Sequence, residues 1–388
     1  MALATRRIPF ARPCLEAEDR QAVLEVLQGS LLTHGPQGAA FEAEFAAFIG
    51  TEAAHCVAVS SCTAALHLAC LQLGLGPGDE VLVPAQTHTA TAHVVEVVGA
   101  RPVFVDCDPA SGNVTAERLA AACTPRTRAV IVVHFIGIPC DMPAIAAFAR
   151  ARRLFLIEDC ATALGARVQG RHVGLFGDAA AFSFYPAKHL TTGEGGMFVS
   201  QDAALAAAVR YRRAFGVDRS HHERALPGQY DVFCLGLNYR LSELQAALGR
   251  GQLRRLPATL ARRHANYAQL AAGLREVPGV RLLAPGQPEA EHAAYCASVV
   301  LEGQLAAQRD ALIARLNAAG VGTSIYYPHP VPRLRYYRQK YGYDAARFPH
   351  ATTLSDASLA LPVGPHLDAE DVAYLVATFR TLVEEMQP

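Results

Sequence analysis

Residues 183–196 read SFYPAKHLTTGEGG and form the most informative segment of the chain. One lysine, Lys188, stands between a strand-like apolar run over 179–184 and a glycine-rich turn that leads into a second apolar run over 197–200. Doubly wound α/β proteins bind their ligands at the carboxyl ends of such strands. A partly desolvated lysine at a strand end can form a Schiff base with a carbonyl compound. A lysine taken alone is more often a solvated loop residue, so the other segments must decide between the two interpretations.

Outward from this stretch, short apolar runs alternate with longer helical patterns from about residue 55 to residue 200. The runs are apolar at successive positions, which is typical of strands buried on both faces of a largely parallel sheet. Glycine-rich segments such as 74–79 end the helical patterns between them. We therefore predict an α/β fold with a mostly parallel sheet. The predicted strands are 56–59, 80–83, 102–105, 129–133, 154–157, 179–184 and 197–200.

Beyond the predicted sheet the pattern changes to α+β. A long helical pattern over 241–274 precedes a mixture of strand and helix patterns that continues to the end of the chain. The predicted parts are an N-terminal segment over 1–25 that packs with the small domain, a large cofactor-binding domain over 26–255, and a small C-terminal domain over 256–388.

Composition indicates a well-buried globular protein, because 51% of the 388 residues are hydrophobic and 18% are charged. Lys and Arg together number 35, as do Asp and Glu, so no basic excess points to nucleic acid. The ten cysteines show no C-x-x-C spacing, which argues against a zinc site, a redox pair or a disulfide framework. Neither a secretory pattern nor a membrane-length apolar run is visible. We expect a cytoplasmic protein that binds neither nucleic acid nor membrane.

Two strand ends carry candidate binding groups. After the first predicted strand, Ser61 or Cys62 can cap the helix that begins near Ala64, and the free N–H groups there attract an anion. An ordinary helix cap is the alternative. Glu158 and Asp159 close another strand, and because successive residues face opposite sides, one carboxylate can face a ligand. Asp159 in that position suits pyridoxal phosphate, since it keeps the pyridine nitrogen protonated; a paired structural acid is the alternative.

The chain resembles the DegT/DnrJ/StrS sugar aminotransferases, which are fold-type I pyridoxal phosphate enzymes. The resemblance is carried first by Asp159, Ser183, Lys188 and the turn over 191–196. The resemblance runs nearly from end to end. It implies a mostly parallel seven-stranded sheet in the large domain and a smaller α+β C-terminal domain. Further segments that carry it are 8–9, 12–13, 32–36, 61–66, 83–85 and 238–249.

The resemblance implies a role for each matching position. Lys188 would hold the cofactor covalently and move protons, and Asp159 would pair with the pyridine nitrogen. Ser183, Thr63 and the backbone at Cys62 would bind the phosphate.

Four further cofactor or substrate positions follow from the resemblance. Asn238 would reach the phosphate from the neighbouring subunit, which implies an obligate homodimer with composite sites. His88 stands where the family usually stacks an aromatic ring on the cofactor. Two positions depart from the pattern: Thr162 stands where the family commonly has His or Gln, and His329, in the segment 326–330, follows a changed tyrosine–proline pattern. A hydroxyl at Thr162 can still donate a hydrogen bond, although through a shorter reach.

The resemblance also implies substrate contacts from Thr33, Tyr239 and Arg240, together with His329, and it implies that the nucleotide lies along the dimer cleft beside 217–235. No metal site is predicted.

Three other groups of residues are not assigned a role. The histidines at 221–222 lie in a polar segment, and His134 is interpreted as a packed strand-end residue. The arginines at 262–263 are predicted to lie on a solvated helix face.

The resulting hypothesis is a pyridoxal phosphate-dependent aminotransferase. It would move the amino group of L-glutamate to a keto sugar, a nucleotide-linked 4-keto or 3-keto deoxysugar, for surface polysaccharide or amino-sugar biosynthesis. The alternatives are a cyclitol or free sugar acid as acceptor, and a non-catalytic regulatory relative. A cofactor-dependent sugar dehydratase of the same fold is disfavoured, because those relatives replace the lysine that Lys188 retains.

Overall fold

The computed structural model describes residues 6–218, 226, 228–287 and 289–387. The helices are α1 (Ala17–Gln28), α2 (Pro36–Ile49), α3 (Cys62–Gln72), α4 (Thr89–Val97), α5 (Ala116–Ala122), α6 (Met142–Arg152), α7 (Ala203–Arg212), α8 (Glu243–Leu274), α9 (Arg309–Ala318), α10 (Arg335–Tyr341), α11 (Pro349–Ala357) and α12 (Ala369–Met386). The strands are β1 (Cys56–Val59), β2 (Glu80–Pro84), β3 (Arg101–Val105), β4 (Thr127–Val133), β5 (Phe155–Asp159), β6 (Arg167–Val168), β7 (Arg171–His172), β8 (Ala179–Ser183), β9 (Gly196–Val199), β10 (Val280–Leu282), β11 (Ala290–Glu291), β12 (Ala297–Leu301) and β13 (Ser358–Leu361).

A seven-stranded sheet in the order β1-β9-β8-β5-β4-β2-β3 forms the centre of the larger part of the molecule. The neighbouring pairs β3–β2, β2–β4, β4–β5 and β5–β8 are parallel, and β9 runs antiparallel to both of its neighbours, β1 and β8. Strands β1, β2 and β9 are buried at every position, which explains their continuous apolar runs. The predicted α/β fold is confirmed, and each of the predicted strands forms within about two residues of its expected bounds.

Helices cover both faces of this sheet. Apolar side chains of α3, α4 and α7 pack with one face, and those of α2, α5, α6 and α8 pack with the other. Because the parallel strands share one direction, their carboxyl ends lie at one edge. The residues that this edge brings together are Ser61, His88, His134, Asp159 and Ser183.

The C-terminal part contains the antiparallel sheet β10-β12-β13, against which α9 and α12 pack. The segment at the start of the described chain contacts this part, since the Ile8 N–H donates to the Gly320 carbonyl at 2.8 Å and Arg6 pairs with Asp371. The predicted boundary at 255–256 falls inside α8, a continuous helix of 32 residues. The division into three parts stays a prediction. Within the described ranges, no helix has both the length and the apolar character that a membrane span needs.

Candidate active site

The amino end of α3 forms one side of the site. Ser61 is its N-cap, and its hydroxyl accepts a hydrogen bond from the Ala64 N–H at 3.0 Å. Gly196 at the start of β9 lies against this turn. A Cβ added there would come within 2.4 Å of the Ser61 carbonyl carbon and 2.6 Å of the Cys62 nitrogen. Glycine at position 196 therefore lets β9 approach this turn closely, and the free N–H groups at the amino end of α3 suit an anion.

Asp159 at the end of β5 faces the same space. It is 5% exposed, and its Oδ2 accepts a hydrogen bond from the Thr91 hydroxyl at 2.9 Å. Its Oδ1 accepts from the Ala161 N–H at 3.1 Å and lies 3.8 Å from the Cys62 sulfur. A second hydroxyl, that of Thr87, lies 2.9 Å from Thr91 Oγ1. Asp159 is thus held at the strand end by helix α4 and by its own turn.

Glu158 faces the opposite side of β5, as the alternation of strand residues predicts. It is 0% exposed and accepts hydrogen bonds from the N–H groups of Gly174, Phe176 and Gly177 at 2.7 to 2.8 Å. The Cys140 N–H donates to His134 Nδ1, so His134 Nε2 carries the proton that is shared with Glu158 at 3.1 Å. His134 and Glu158 lie with Cys160 in a cluster of potential metal ligands. Because their lone pairs are already used by these bonds, the cluster is explained as a structural network.

Lys188 lies in the turn between β8 and β9 and is half-buried. Its Nζ lies 5.0 Å from the centre of the Tyr295 ring. Burial lowers the pKa of Lys188, and the nearby Cys62 and Asp159 limit that shift. Lys188, Asp159 and the amino end of α3 therefore face one another. We call the group Ser61, Thr91, Asp159, Ser183 and Lys188 the strand-end site.

Aromatic rings line the strand-end site on the side of the C-terminal part. The rings of His88 and Tyr327 are 5.7 Å apart, and Tyr327 also contacts Phe135. Burial and the nearby Asp159 raise the pKa of Tyr327 well above its usual range. His88 caps α4 by accepting from the Ala90 N–H at 3.2 Å, and burial lowers its pKa. The stacking role of His88 toward a cofactor stays a prediction.

Two other predicted cofactor residues already have partners within the fold. The Thr162 hydroxyl donates to the His134 carbonyl at 3.2 Å, and the Ser183 hydroxyl accepts weakly from the Tyr185 N–H at 3.4 Å. Thr63 follows Cys62 in the first turn of α3. The cofactor contacts of Thr162, Ser183 and Thr63 stay predictions.

A cavity of about 1000 Å³ lies between α2, the end of α7 and the residues that precede α8. We call it the side cavity. Arg240 reaches it and bonds to Asn238 Oδ1 at 3.0 Å and to His34 Nε2 at 2.9 Å, with its guanidinium 5.2 Å from the Phe215 ring centre. Its lining includes His34, Phe215, Tyr230, Val232, Leu235 and Arg240.

The remaining predicted substrate residues occupy different environments. Thr33 is exposed in the loop before α2. The hydroxyl of Tyr239 lies 3.0 Å from His67 Nδ1, and its ring packs against the apolar cluster on one face of the seven-stranded sheet. His329 is exposed and accepts from Arg333 at 3.0 Å. Their contacts with substrate stay predictions. Residues 219–225 and 227, which include the histidines at 221–222 and part of the expected nucleotide segment, lie outside the described residues.

The prediction of a solvated arginine pair on α8 is wrong for one of its members. Arg263 is 6% exposed, and its Nη1 donates to the carbonyls of Ala294 and Tyr295. Arg262 instead donates to the Leu367 carbonyl at 2.9 Å. The helix turns one of two adjacent residues inward, because successive helix positions lie about 100° apart. Sequence reasoning also missed Thr91 and Tyr295, whose neighbours in the chain carry no signal for the site.

The sequence model of the DegT/DnrJ/EryC1/StrS aminotransferase family matches residues 13–380. The spore coat polysaccharide biosynthesis protein SpsC of Bacillus subtilis is 38% identical to the chain over 383 residues, which cover 97% of each protein. Among solved structures, aminotransferase TlmJ from Streptoalloteichus hindustanus has a TM-score of 0.90 at 34% identity and covers 98% of this chain and 99% of its own. The sugar aminotransferase CalS13 from Micromonospora echinospora has a TM-score of 0.88 at 31% identity, over 96% of this chain and 99% of its own.

Proposed function

Since the chain belongs to the DegT/DnrJ/EryC1/StrS aminotransferase family and is a pyridoxal phosphate-dependent sugar aminotransferase, we propose that it moves the amino group of L-glutamate onto a keto sugar carried by a nucleoside diphosphate. The observation that carries the proposal is the strand-end site. A half-buried lysine, a buried carboxylate and a helix amino end meet there at the edge where α/β proteins bind ligands.

The residues of the strand-end site fit pyridoxal phosphate. Bound there, the cofactor supplies a carbonyl group that takes up the amine and a ring that accepts electrons. Lys188 holds it covalently, and Asp159 faces the pyridine nitrogen. The N–H groups at the start of α3, with Thr63 and Ser183, bind the phosphate, because a helix amino end attracts negative charge. Ser61 caps α3 there and so holds the start of the helix in place.

Lys188 has a second task once its amine is released. It accepts and returns the proton at the reacting carbon of the amino donor and of the acceptor. Because burial lowers its pKa, a larger fraction of the amine is neutral near pH 7 and ready to accept that proton.

The side cavity supports a nucleotide-linked acceptor. Its volume of about 1000 Å³ is at the upper end of the range of small-molecule sites. Arg240 supplies a cation for phosphate oxygens, and the rings of Phe215 and Tyr230 supply apolar surface for a base. Among the described residues that line the cavity, none belongs to the strand-end site. We propose that the acceptor's keto carbon meets Lys188 of the partner subunit.

A homodimer with composite sites supplies that partner. Val232, Phe233 and Leu235 are more than half exposed in the single chain, and Asn238 follows them in the chain. Apolar side chains grouped in this way favour contact with another protein surface. Asn238 of one subunit then reaches the phosphate of the other. We place the enzyme in the cytoplasm, where its unpaired cysteines stay reduced.

The first experiment is an absorption spectrum of the purified protein with pyridoxal phosphate, before and after L-glutamate, with Lys188→Ala as control. We expect a visible cofactor band in the wild type that disappears with glutamate and is altered in the variant. Nucleotide-linked keto sugars are then tested for return of the band.

Each outcome decides one part of the proposal. A band that glutamate leaves unchanged rejects the donor. Return of the band with a keto cyclitol or a free keto sugar acid, but with no nucleotide-linked sugar, rejects the acceptor class. If no visible band forms at saturating pyridoxal phosphate, the proposal of catalysis is rejected and a non-catalytic regulatory role is favoured.

A further inference from the structure

A tyrosine that no motif indicates contacts the reacting amine. The centre of the Tyr295 ring lies 5.0 Å from Lys188 Nζ, within the range in which an aromatic face attracts an ammonium group. Among the described residues, Lys188 Nζ forms no ion pair. Burial raises the pKa of the Tyr295 hydroxyl well above its usual range, so the side chain is a neutral phenol and acts through its ring.

The backbone before Tyr295 adopts a conformation that points to a function. Ala294 has φ of 48°, in the left-handed region that alanine rarely adopts. The Ala293 N–H donates to the Gly137 carbonyl at 2.8 Å, and a Cβ at Gly137 would come within 2.7 Å of the Thr162 carbonyl oxygen. Such strained positions persist where the surrounding structure holds them, and they concentrate at functional sites.

Three successive carbonyl groups of this segment are held by buried cationic or imidazole side chains. His189 Nε2 donates to the Ala293 carbonyl at 2.8 Å. Arg263 Nη1 donates to the Ala294 carbonyl at 3.3 Å and to the Tyr295 carbonyl at 3.1 Å. Within the described ranges Arg263 has no carboxylate partner, so its buried positive charge interacts with backbone carbonyl groups instead.

The ring itself is fixed from both ends. The Tyr295 hydroxyl lies 2.9 Å from the Tyr326 hydroxyl, and the ring contacts that of His189 at 5.7 Å between centres. A ring that is anchored at its backbone and at its hydroxyl presents a constant face to Lys188.

From this geometry we propose that Tyr295 is a further catalytic residue, whose ring face holds the Lys188 amine in position whenever that amine is free, and that Arg263 is a positioning residue for the ring. The inference rests on the proposed role of Lys188. The ring favours the ammonium form and so opposes the effect of burial on the amine.

The test measures the pKa of Lys188 itself, by the pH dependence of its acylation in the full-length chain, read by mass spectrometry. The measurement is made without cofactor and again with added pyridoxamine phosphate. Tyr295→Phe keeps the aromatic face and should leave the pKa of Lys188 within about 0.3 units of the wild-type value. A trifluorinated phenylalanine at position 295 keeps the shape but weakens the negative face, and should lower that pKa by about one unit, a tenfold change in the neutral fraction.

The titratable groups that face Lys188 are the same in all these variants, which isolates the effect of the ring; they are Cys62, His88, Asp159, His189 and Cys296. The proposal is overturned if the pKa of Lys188 is the same with phenylalanine and with trifluorinated phenylalanine at position 295, because the ring would then act by packing alone.

The adjacent arginines provide a matched pair for the positioning role. Arg263→Lys keeps the charge but loses the planar fork, and should lower the pKa of Lys188 by about half a unit. Arg262→Lys alters a neighbour that bonds to Leu367 instead, and should leave that pKa unchanged. If the pKa of Lys188 is the same in Arg263→Lys and Arg262→Lys, Arg263 is rejected as a positioning residue. Failure of the proposed function would instead show as an unaltered cofactor band in Lys188→Ala.

Discussion

At the strand-end site, Thr91 and Asp159 are buried and hydrogen-bonded to each other, and the buried Cys62 lies 3.8 Å from Asp159, whereas the lining of the side cavity includes exposed residues such as Tyr230 and Leu235. The first region is formed by residues at or after strand ends and by the first turns of α3 and α4, whereas much of the second consists of described residues between α7 and α8. Cofactor chemistry needs fixed groups and excluded water, while acceptor recognition uses variable loops on a common scaffold. We therefore expect mutations at the two regions to affect different steps.

The largest effect is expected at Asp159. Asp159→Asn keeps the hydrogen bond with Thr91 possible but removes the negative charge, so kcat for the glutamate half-reaction should fall about 10²- to 10³-fold. Rapid-mixing absorption spectroscopy measures that rate. An unchanged rate would contradict the pairing of Asp159 with the cofactor ring.

Glu158→Gln is the matched control on the other side of β5. It weakens a buried network of three N–H groups and His134, so it should lower the free energy of unfolding by about 3 kcal/mol. Urea denaturation measures the loss. The folded variant should retain the half-reaction rate, in contrast to Asp159→Asn.

The next effect is expected at Gly196. Gly196→Ala places a Cβ against Ser61 and Cys62, so the amino end of α3 must shift and the dissociation constant of pyridoxal phosphate should rise about 30-fold. Equilibrium titration of the cofactor checks this. Gly286→Ala is the control, since a Cβ there has open space, and it should bind the cofactor as the wild type does.

A smaller effect separates the side cavity from the strand-end site. Arg240→Ala should raise KM for the nucleotide-linked acceptor about tenfold, because one charge-assisted contact to phosphate is lost, and leave the glutamate half-reaction unchanged. Steady-state kinetics with varied acceptor measures the change. Arg250→Ala removes an arginine that bonds to Glu44 and Gln37 and should leave KM unchanged. Equal KM values for the two variants would remove Arg240 from the acceptor site.

The last effect is absent at pH 7 and concerns acidic pH and the buried side of the sheet. Burial lowers the pKa of His172 to about 4, from 6.5 in the unfolded chain. Between these values the unfolded state binds more protons, so the stabilisation from His172 is complete above pH 6.5 and falls by about 1.4 kcal/mol per pH unit down to pH 4. His172→Gln should reduce the slope of unfolding free energy against pH by about that amount in this window. An unchanged slope would show that His172 is protonated in the folded protein.

The strands could be predicted because their sequence signal is local. A run of successive apolar residues is typical of a strand that is buried on both faces, and β1, β2 and β9 are buried at every position. The opposite orientation of Glu158 and Asp159 follows from the same strand geometry. The inward turn of Arg263 could not be predicted, because the two adjacent arginines look alike and the partners of Arg263 lie on the segment 293–295.

From its residues alone, the chain determined the α/β fold, the strand-end positions of Lys188 and Asp159, and, through its resemblance, the family. These features depend on local patterns and on residues that adjoin strand ends. The tertiary structure decided the contacts of Thr91 with Asp159 and of Tyr295 with Lys188, and the gathering of His34, Phe215 and Arg240 around the side cavity. Each of these joins segments far apart in the chain, and such pairings depend on how the whole core packs rather than on any local pattern.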